Sequence, residues 1–395
     1  MISDATLQLL EFTQIREQLC EHCHTPAARN RAQSLVPYTD ANALARAAAA
    51  TTSARRIYDA MGSAPIYSMD GLEDLTHLLH SGRTLSAGQL HAVAEFLKHC
   101  RLLSRYLERA RTIDALVAGY GASIDPLEAL RAELDRCIRV DLVDENASST
   151  LRSLRRSQET LSGRIKDKCA SLLRNHPQWF QEAYVSQRGG RYVLPVKREY
   201  RAQVKGSVRD ASSSGATVFV EPDSVASLQQ ELDLARIDEE NEVLRILSTL
   251  SAQVGEAARS LSINAEVMAE VDYVFACAKL GGAMDGVTAQ PTARRALSLV
   301  SARHPLLGPG AVPLTLELGA VRGLIITGPN TGGKTVALKT VGLITLMALC
   351  GLQVPAEQAV IPLFEGVYCD IGDGQSIAQN LSTFSSHVRR VADIL

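Results

Sequence analysis

The sequence predicts a multidomain protein of α and α/β character. It should hold a helical core and lever with long paired helices and a small β clamp-like element, followed by the first part of an α/β domain built on a phosphate loop. Three observations carry this expectation. Apolar residues recur at three- and four-residue spacing from the start to about residue 285. A short arginine-rich stretch within it switches to a period of two. After about residue 290, glycine-punctuated apolar runs lead into Gly328-Pro-Asn-Thr-Gly-Gly-Lys-Thr335.

The bulk properties exclude several classes. With 395 residues, 46% hydrophobic and 21% charged, the chain can bury large cores and should divide into two or three domains. The net charge of -2, from 41 basic and 43 acidic side chains, neither attracts nor repels nucleic acid globally, so any such binding must be local. No run reaches the roughly 18 apolar residues of a membrane span, and Met1-Ile-Ser-Asp4 is not a signal peptide. A cytoplasmic protein without membrane contact is expected, and the scattered cysteines suit a reducing compartment. Cys20-Glu-His-Cys23-His24 matches the string of a c-type haem attachment and could begin a zinc site. No second ligand pair with metal spacing follows, and the plain alternative is the end of a first helix with Leu7, Leu10, Ile15 and Leu19 on one face.

In chain order, residues 1–135 read as a helical core and 136–265 as a long helical lever pair. One lever helix carries Leu151, Leu154, Leu161, Ile165 and Leu172. The other carries a stripe from Val225 through Leu232, Val243, Leu250 and Leu261, about ten turns or roughly 50 Å. Between them, Tyr192–Val196 and Ala216–Val220 read as strands of a β element at about 180–222, bounded by Gly189-Gly190 and Ser212-Ser-Ser-Gly215. Arg188, Arg191, Lys197, Arg198, Arg201, Lys205 and Arg209 cluster there, with Glu199 as the only acid before Asp210. The residues leave two readings open: a phosphate-binding tip, or a solvated strand pair. Residues 266–290 form a helical connection, and 291–395 begin the α/β domain, with strands expected at 296–300, 314–318 and 323–327.

The loop fits G-x-x-x-x-G-K-[ST] in full, with an apolar run before it and an Ala/Leu-rich helix to Leu349 after it. In that arrangement backbone N–H groups turn inward around a β-phosphate at the positive end of the helix. Gly328, Pro329, Asn330, Thr331, Gly332 and Gly333 would form the cradle. Lys334 would reach the β- and γ-phosphates, and the Thr335 hydroxyl would ligate Mg²⁺ beside ATP. Hydrolysis also needs a carboxylate at the end of a second apolar strand. Ile361-Pro-Leu-Phe-Glu365 is the nearest downstream run, and its proline and Gly366 argue against it. The chain is therefore expected to be a fragment of a longer protein, truncated before Walker B, that binds nucleotide without hydrolysing it efficiently and contains no complete catalytic set.

Four blocks, in order and spacing, resemble the ATPase entry of the MutS superfamily. They are Ala302-Arg-His-Pro-Leu-Leu307, Ile326–Thr335, Gln353-Val-Pro-Ala356 and Asp370–His387. Arg191-Tyr-Val-Leu-Pro-Val-Lys197 and Ser213–Pro222 resemble more closely the second bacterial MutS paralogue family, and the likeness covers nearly the whole chain. The resemblance implies a P-loop (ABC-type) ATPase domain, with Asn330 near the γ-phosphate and Pro309 to Pro313 beside the adenine. It makes Ser382 the signature-loop serine reaching the nucleotide of the other subunit. Gln375 and Ser376 stand where MutS proper is acidic, which leaves a direct Mg²⁺ role there open. It further implies a homodimer in the full-length protein that clamps branched DNA and suppresses homologous recombination. A C-terminal small-MutS-related endonuclease, absent from this stretch, and ATP-driven splitting of collided ribosomes, with rRNA contact, belong to the same implication. Mismatch recognition is not expected: no mismatch-reading domain fits before the loop, and Phe180-Gln-Glu182 spells the wedge tripeptide only by chance. The alternative from another class is a non-catalytic nucleic-acid or ribosome-binding module in which nucleotide sets shape.

Overall fold

The computed structural model describes residues 2–68, 83–213, 215–292, 296–319, 321, 323–329 and 332–371. The chain forms two compact units that alternate along the sequence. The first comprises 1–76, 95–127 and 258–395, the second 77–94 and 128–257.

The described helices are α1 (Asp4–Leu9), α2 (Phe12–Glu21), α3 (Pro26–Gln33), α4 (Ala41–Met61), α5 (Ala87–Ala110), α6 (Ala115–Ala118), α7 (Glu128–Cys137), α8 (Ser149–Asn175), α9 (Asp223–Glu256), α10 (Ala258–Ala283) and α11 (Lys334–Leu349). The strands are β1 (Ile138–Arg139), β2 (Leu142–Val143), β3 (Ser186–Arg188), β4 (Arg191–Lys197), β5 (Gly206–Ala211), β6 (Thr217–Pro222), β7 (Gln290–Thr292), β8 (Ser298–Ala302), β9 (Leu314–Glu317) and β10 (Gln358–Pro362).

In the first unit, α10 is the central post. Met268, Val271, Val274, Phe275 and Ala278 are buried on it, and α2, α3 and α4 pack around it. Each of the larger side chains, Met268, Val271, Val274 and Phe275, contributes about 1.5–3 kcal/mol through removal from water. The helix starts follow their capping residues: Ser3 accepts from Thr6 N–H at 3.2 Å, and Asp40 from Ala43 N–H at 2.7 Å. The continuous first helix expected through Leu19 is broken. Glu11 adopts a left-handed conformation, φ 60°, and separates α1 from α2, because Leu10 and Phe12 must both turn inward.

A four-stranded sheet, order β7-β10-β8-β9, lies in the same unit, parallel between β7 and β10 and otherwise antiparallel. Residues 323–327 do not form the expected strand. Leu324 and Ile325 are 52% and 88% exposed, and among the described residues no strand pairs with them. Extended backbone without a ladder partner gains no sheet hydrogen bonds, so apolar sequence alone does not make a strand. Ile361 and Pro362 end β10 inside the sheet, while Glu365 lies past it.

In the second unit, α8 and α9 run antiparallel. The register is fixed by Ser148 to Glu242 (2.7 Å), Arg155 to Glu239 (2.7 Å) and Lys168 to the Ser224 carbonyl (3.1 Å). Their apolar stripes meet the sheet β3-β4-β6-β5 in one core, where Ile165, Cys169, Leu194, Val220 and Val225 are fully buried. Phe180 is 5% exposed in that core and bridges to Val196, a structural use of the Phe-Gln-Glu string. The ten-turn stripe also divides. The helix ends at Glu256 just after Gly255, and Leu261 belongs to α10.

Candidate functional site

The glycine loop meets α11 where the motif places a phosphate cradle. Gly333 caps the helix with φ 76°, and Gly328 turns the chain at φ 150°; both are conformations that a side chain resists. Between them Gly332 N–H donates to the Pro329 carbonyl at 3.0 Å, closing the turn. The first intrahelical bond runs from Ala337 N–H to Gly333 O at 2.9 Å, so the N–H groups of the preceding turn have no intrahelical acceptor. The macrodipole of the 16-residue helix adds positive potential at that end. The Lys334 ammonium folds back over the loop, donating to the Gly328 carbonyl and to Pro329 O at 2.9 Å. Thr335 is exposed beside it. Asn330, Thr331, Gln375, Ser376 and Ser382 lie outside the described residues.

The body of α11 is anchored to the helical part of its own unit. Gly342 faces Leu10 so closely that a Cβ would lie 2.6 Å from it, and Lys339 pairs with Glu11 at 3.2 Å. His304, from the Ala-Arg-His-Pro block, is 5% exposed, and its Nδ1 accepts from Leu306 N–H at 3.3 Å. Burial holds its pKa below the usual imidazole value, favouring the neutral ring. Between Gly308 and Pro313 the chain makes a short turn after which Val312 is 87% exposed.

The seven basic positions lie on one sheet and the loop between β4 and β5, but not in one environment. Glu221, 2% exposed on β6, accepts from Arg191 at 2.9 Å and Arg209 at 2.7 Å. Asp233 on α9 takes the other side of Arg191 at 2.6 Å. Arg188 pairs with Asp210 at 3.0 Å and lies over the Phe219 ring, 4.2 Å from its centroid. Arg201 donates to the carbonyls of Val204 and Gly206 at 2.8 and 2.7 Å, which orders its guanidinium without neutralising it. Arg198 is exposed and reaches Gly215 O at 3.4 Å. Lys197 and Lys205 form no ion pair among the described residues. The uncompensated charge is thus concentrated at 197–205, at the end of β4 and the loop after it.

Local sequence could not show this sorting, because Glu221 and Asp233 lie outside the arginine-rich stretch. The available signal was a glutamate in the apolar run Thr217-Val-Phe-Val-Glu-Pro222, which implies a buried carboxylate in need of partners.

The Cys-x-x-Cys-His string is structural. Asp272, 1% exposed, accepts from His24 N–H (2.8 Å), Thr25 N–H (2.7 Å) and the Thr25 hydroxyl (2.9 Å), and its second oxygen meets His24 Nδ1 at 3.2 Å. Burial pushes the Cys23 thiol well above its ordinary pKa, as for a protonated core side chain. No cluster of metal-ligating side chains occurs among the described residues. No described helix is long and apolar enough to cross a membrane.

Comparison with known proteins agrees with the loop. A family model described as MutS domain V matches residues 324–395. Endonuclease MutS2 of Clostridium beijerinckii is 36% identical over 402 residues, covering 100% of this chain and 51% of that protein. The Endonuclease MutS2 proteins of Shouchella clausii and Halalkalibacterium halodurans are each 37% identical, over 98% and 99% of this chain and 51% of their own lengths. The chain spans about half the length of the curated relatives it matches. With likeness sustained over its whole length and the domain V match covering the glycine loop and the helix after it, the chain belongs to the MutS2 family.

Proposed function

We propose that this chain is the nucleotide-binding and nucleic-acid-gripping part of a MutS2-type clamp, with ATP and Mg²⁺ as its ligands. The observation that carries the reading is the cradle: a tight glycine turn on the N-terminus of α11, with Lys334 folded over it and Thr335 exposed beside it. These residues fit a triphosphate. The first-turn amides, which have no intrahelical acceptor, and the helix end favour an anion, and Gly328 and Gly333 let backbone approach it closely. Lys334 exchanges its two loop carbonyls for phosphate oxygens, and the Thr335 hydroxyl is the metal-facing group. Mg²⁺ bound with the nucleotide supplies charge neutralisation on the β- and γ-oxygens. Asn330, Thr331 and the trans-acting Ser382 complete the proposed set.

In the same proposal, residues 1–135 are the helical core, 136–265 the lever pair with its β element, 266–290 a connection and 291–395 the start of a P-loop ATPase domain. Lys197, Arg198, Arg201 and Lys205 grip a nucleic-acid backbone, DNA in the first instance. Arg188, Arg191 and Arg209 hold the sheet that presents them. Hydrolysis, homodimer formation and the endonuclease named in the relatives are assigned to the longer protein. In this stretch nucleotide serves as a ligand that sets shape.

The test is ATP turnover by this chain beside a version extended to the full length of its relatives. Much faster turnover by the longer form supports the reading. Equal rates overturn the division between binding here and hydrolysis in the longer protein.

A further inference from the structure

A crevice of about 280 Å³ opens in the first unit, away from the phosphate loop. Five elements supply its polar and aromatic lining. Arg31 comes from α3, Tyr38 from the segment joining α3 to α4, Arg46 from α4, Tyr120 from the turn after α6, and Glu270 with Tyr273 from α10. Its small-residue wall is Ala43, Ala47 and Ala50, and Cys277 and Cys350 lie at its base.

The polar groups are unequally committed. Arg31 is ion-paired with Glu270 and stacked over the Tyr273 ring, 4.0 Å from the centroid, so its charge and one aromatic face are already used. Arg46 is exposed and has no ion pair among the described residues. Two guanidiniums against one carboxylate leave the crevice net positive, and the surplus sits on Arg46. Tyr120 is half-buried and forms no hydrogen bond among the described residues, leaving its hydroxyl to orient a guest. The alanine wall leaves flat space that a leucine or phenylalanine would fill. A concave site with aromatic walls, one uncompensated cation and a few placed polar groups is the usual design of a small-ligand pocket.

We propose that this crevice binds a small aromatic anion, no larger than a mononucleotide, with its ring among the tyrosines against the alanine wall and its anionic group on Arg46. The site stands apart from the phosphate loop, although Cys350 at its base is the C-cap of α11.

The probe is AMP, titrated by calorimetry into the full chain carrying Lys334→Ala, which removes the loop's cation and keeps the two sites distinguishable. AMP should bind at one per chain. Loss of the charge-assisted contact in Arg46→Ala should weaken it about tenfold or more. Tyr120→Phe should weaken it less, and inorganic phosphate should bind far more weakly than AMP. Arg46 is exposed, so the variant should keep its fold, as an unchanged thermal melt would verify. Absence of AMP binding, equal affinity in Arg46→Ala, or phosphate binding as tightly as AMP would each overturn the proposal.

Discussion

The sorting of cations on the β element makes a quantitative prediction about nucleic-acid affinity. Replacing Lys197, Arg198 and Lys205 with alanine removes charges that no carboxylate neutralises among the described residues. Replacing Arg209 removes one already held 2.7 Å from Glu221. Each phosphate neutralised on B-form DNA contributes about 0.9 to the slope of log affinity against log salt. The triple variant should therefore lose about 2.7 from that slope, and Arg209→Ala close to none. Between about 50 and 200 mM salt, a fourfold change, the triple variant should lose about 40-fold less affinity than the unmodified chain does. Fluorescence anisotropy of a labelled duplex across a salt series reads this directly. An unchanged slope in the triple variant, or an equal drop in Arg209→Ala, would refute the assignment of the 197–205 segment as the phosphate contact.

Other outcomes follow from the same structure. Glu221→Ala removes the buried carboxylate shared by Arg191 and Arg209 while Asp233 still holds Arg191 at 2.6 Å, so losing this charge-assisted acceptor should cost about 1.5–3 kcal/mol in denaturant unfolding of the second unit. A loss below about 1 kcal/mol would place the pair with ordinary surface bridges. Glu242 is held at about 2 by the Arg245 guanidinium first and then by the Ser148 hydroxyl. With an unfolded value of about 4.3, its stabilisation is complete above that pH and is lost as pH falls toward about 2. Thermal melts of Glu242→Gln should show a shallower acid decline across that window, and a decline identical to that of the unmodified chain would contradict it.

Much of this fold is legible because burial imposes periods. The Leu161, Ile165 and Val225, Leu228, Leu232 stripes announce α8 and α9, and the apolar runs at Tyr192 and Thr217 announce β4 and β6. Their neighbours β3 and β5 are mostly polar and exposed, so nothing in their own sequence marks them. Local pattern also misses geometry imposed from a distance. The left-handed Glu11 follows from two inward-facing neighbours, and the neutralisation of Arg191 follows from Asp233, 42 positions along the chain. Gly323–Thr327 shows the converse, since an apolar run is no strand where none of the described strands pairs with it. The glycine-lysine motif is the plainest signal in the sequence, because the proposed phosphate binding would require particular residue types at fixed spacing.

The central claim is that Gly328 to Thr335 hold a nucleotide, and the direct measurement is ATP affinity in Mg²⁺ for the unmodified chain and for Lys334→Ala. Loss of a charge-assisted contact of about 1.5–3 kcal/mol should weaken binding roughly 10- to 100-fold, with the thermal melt unchanged. Equal ATP affinity in the two proteins would contradict the account.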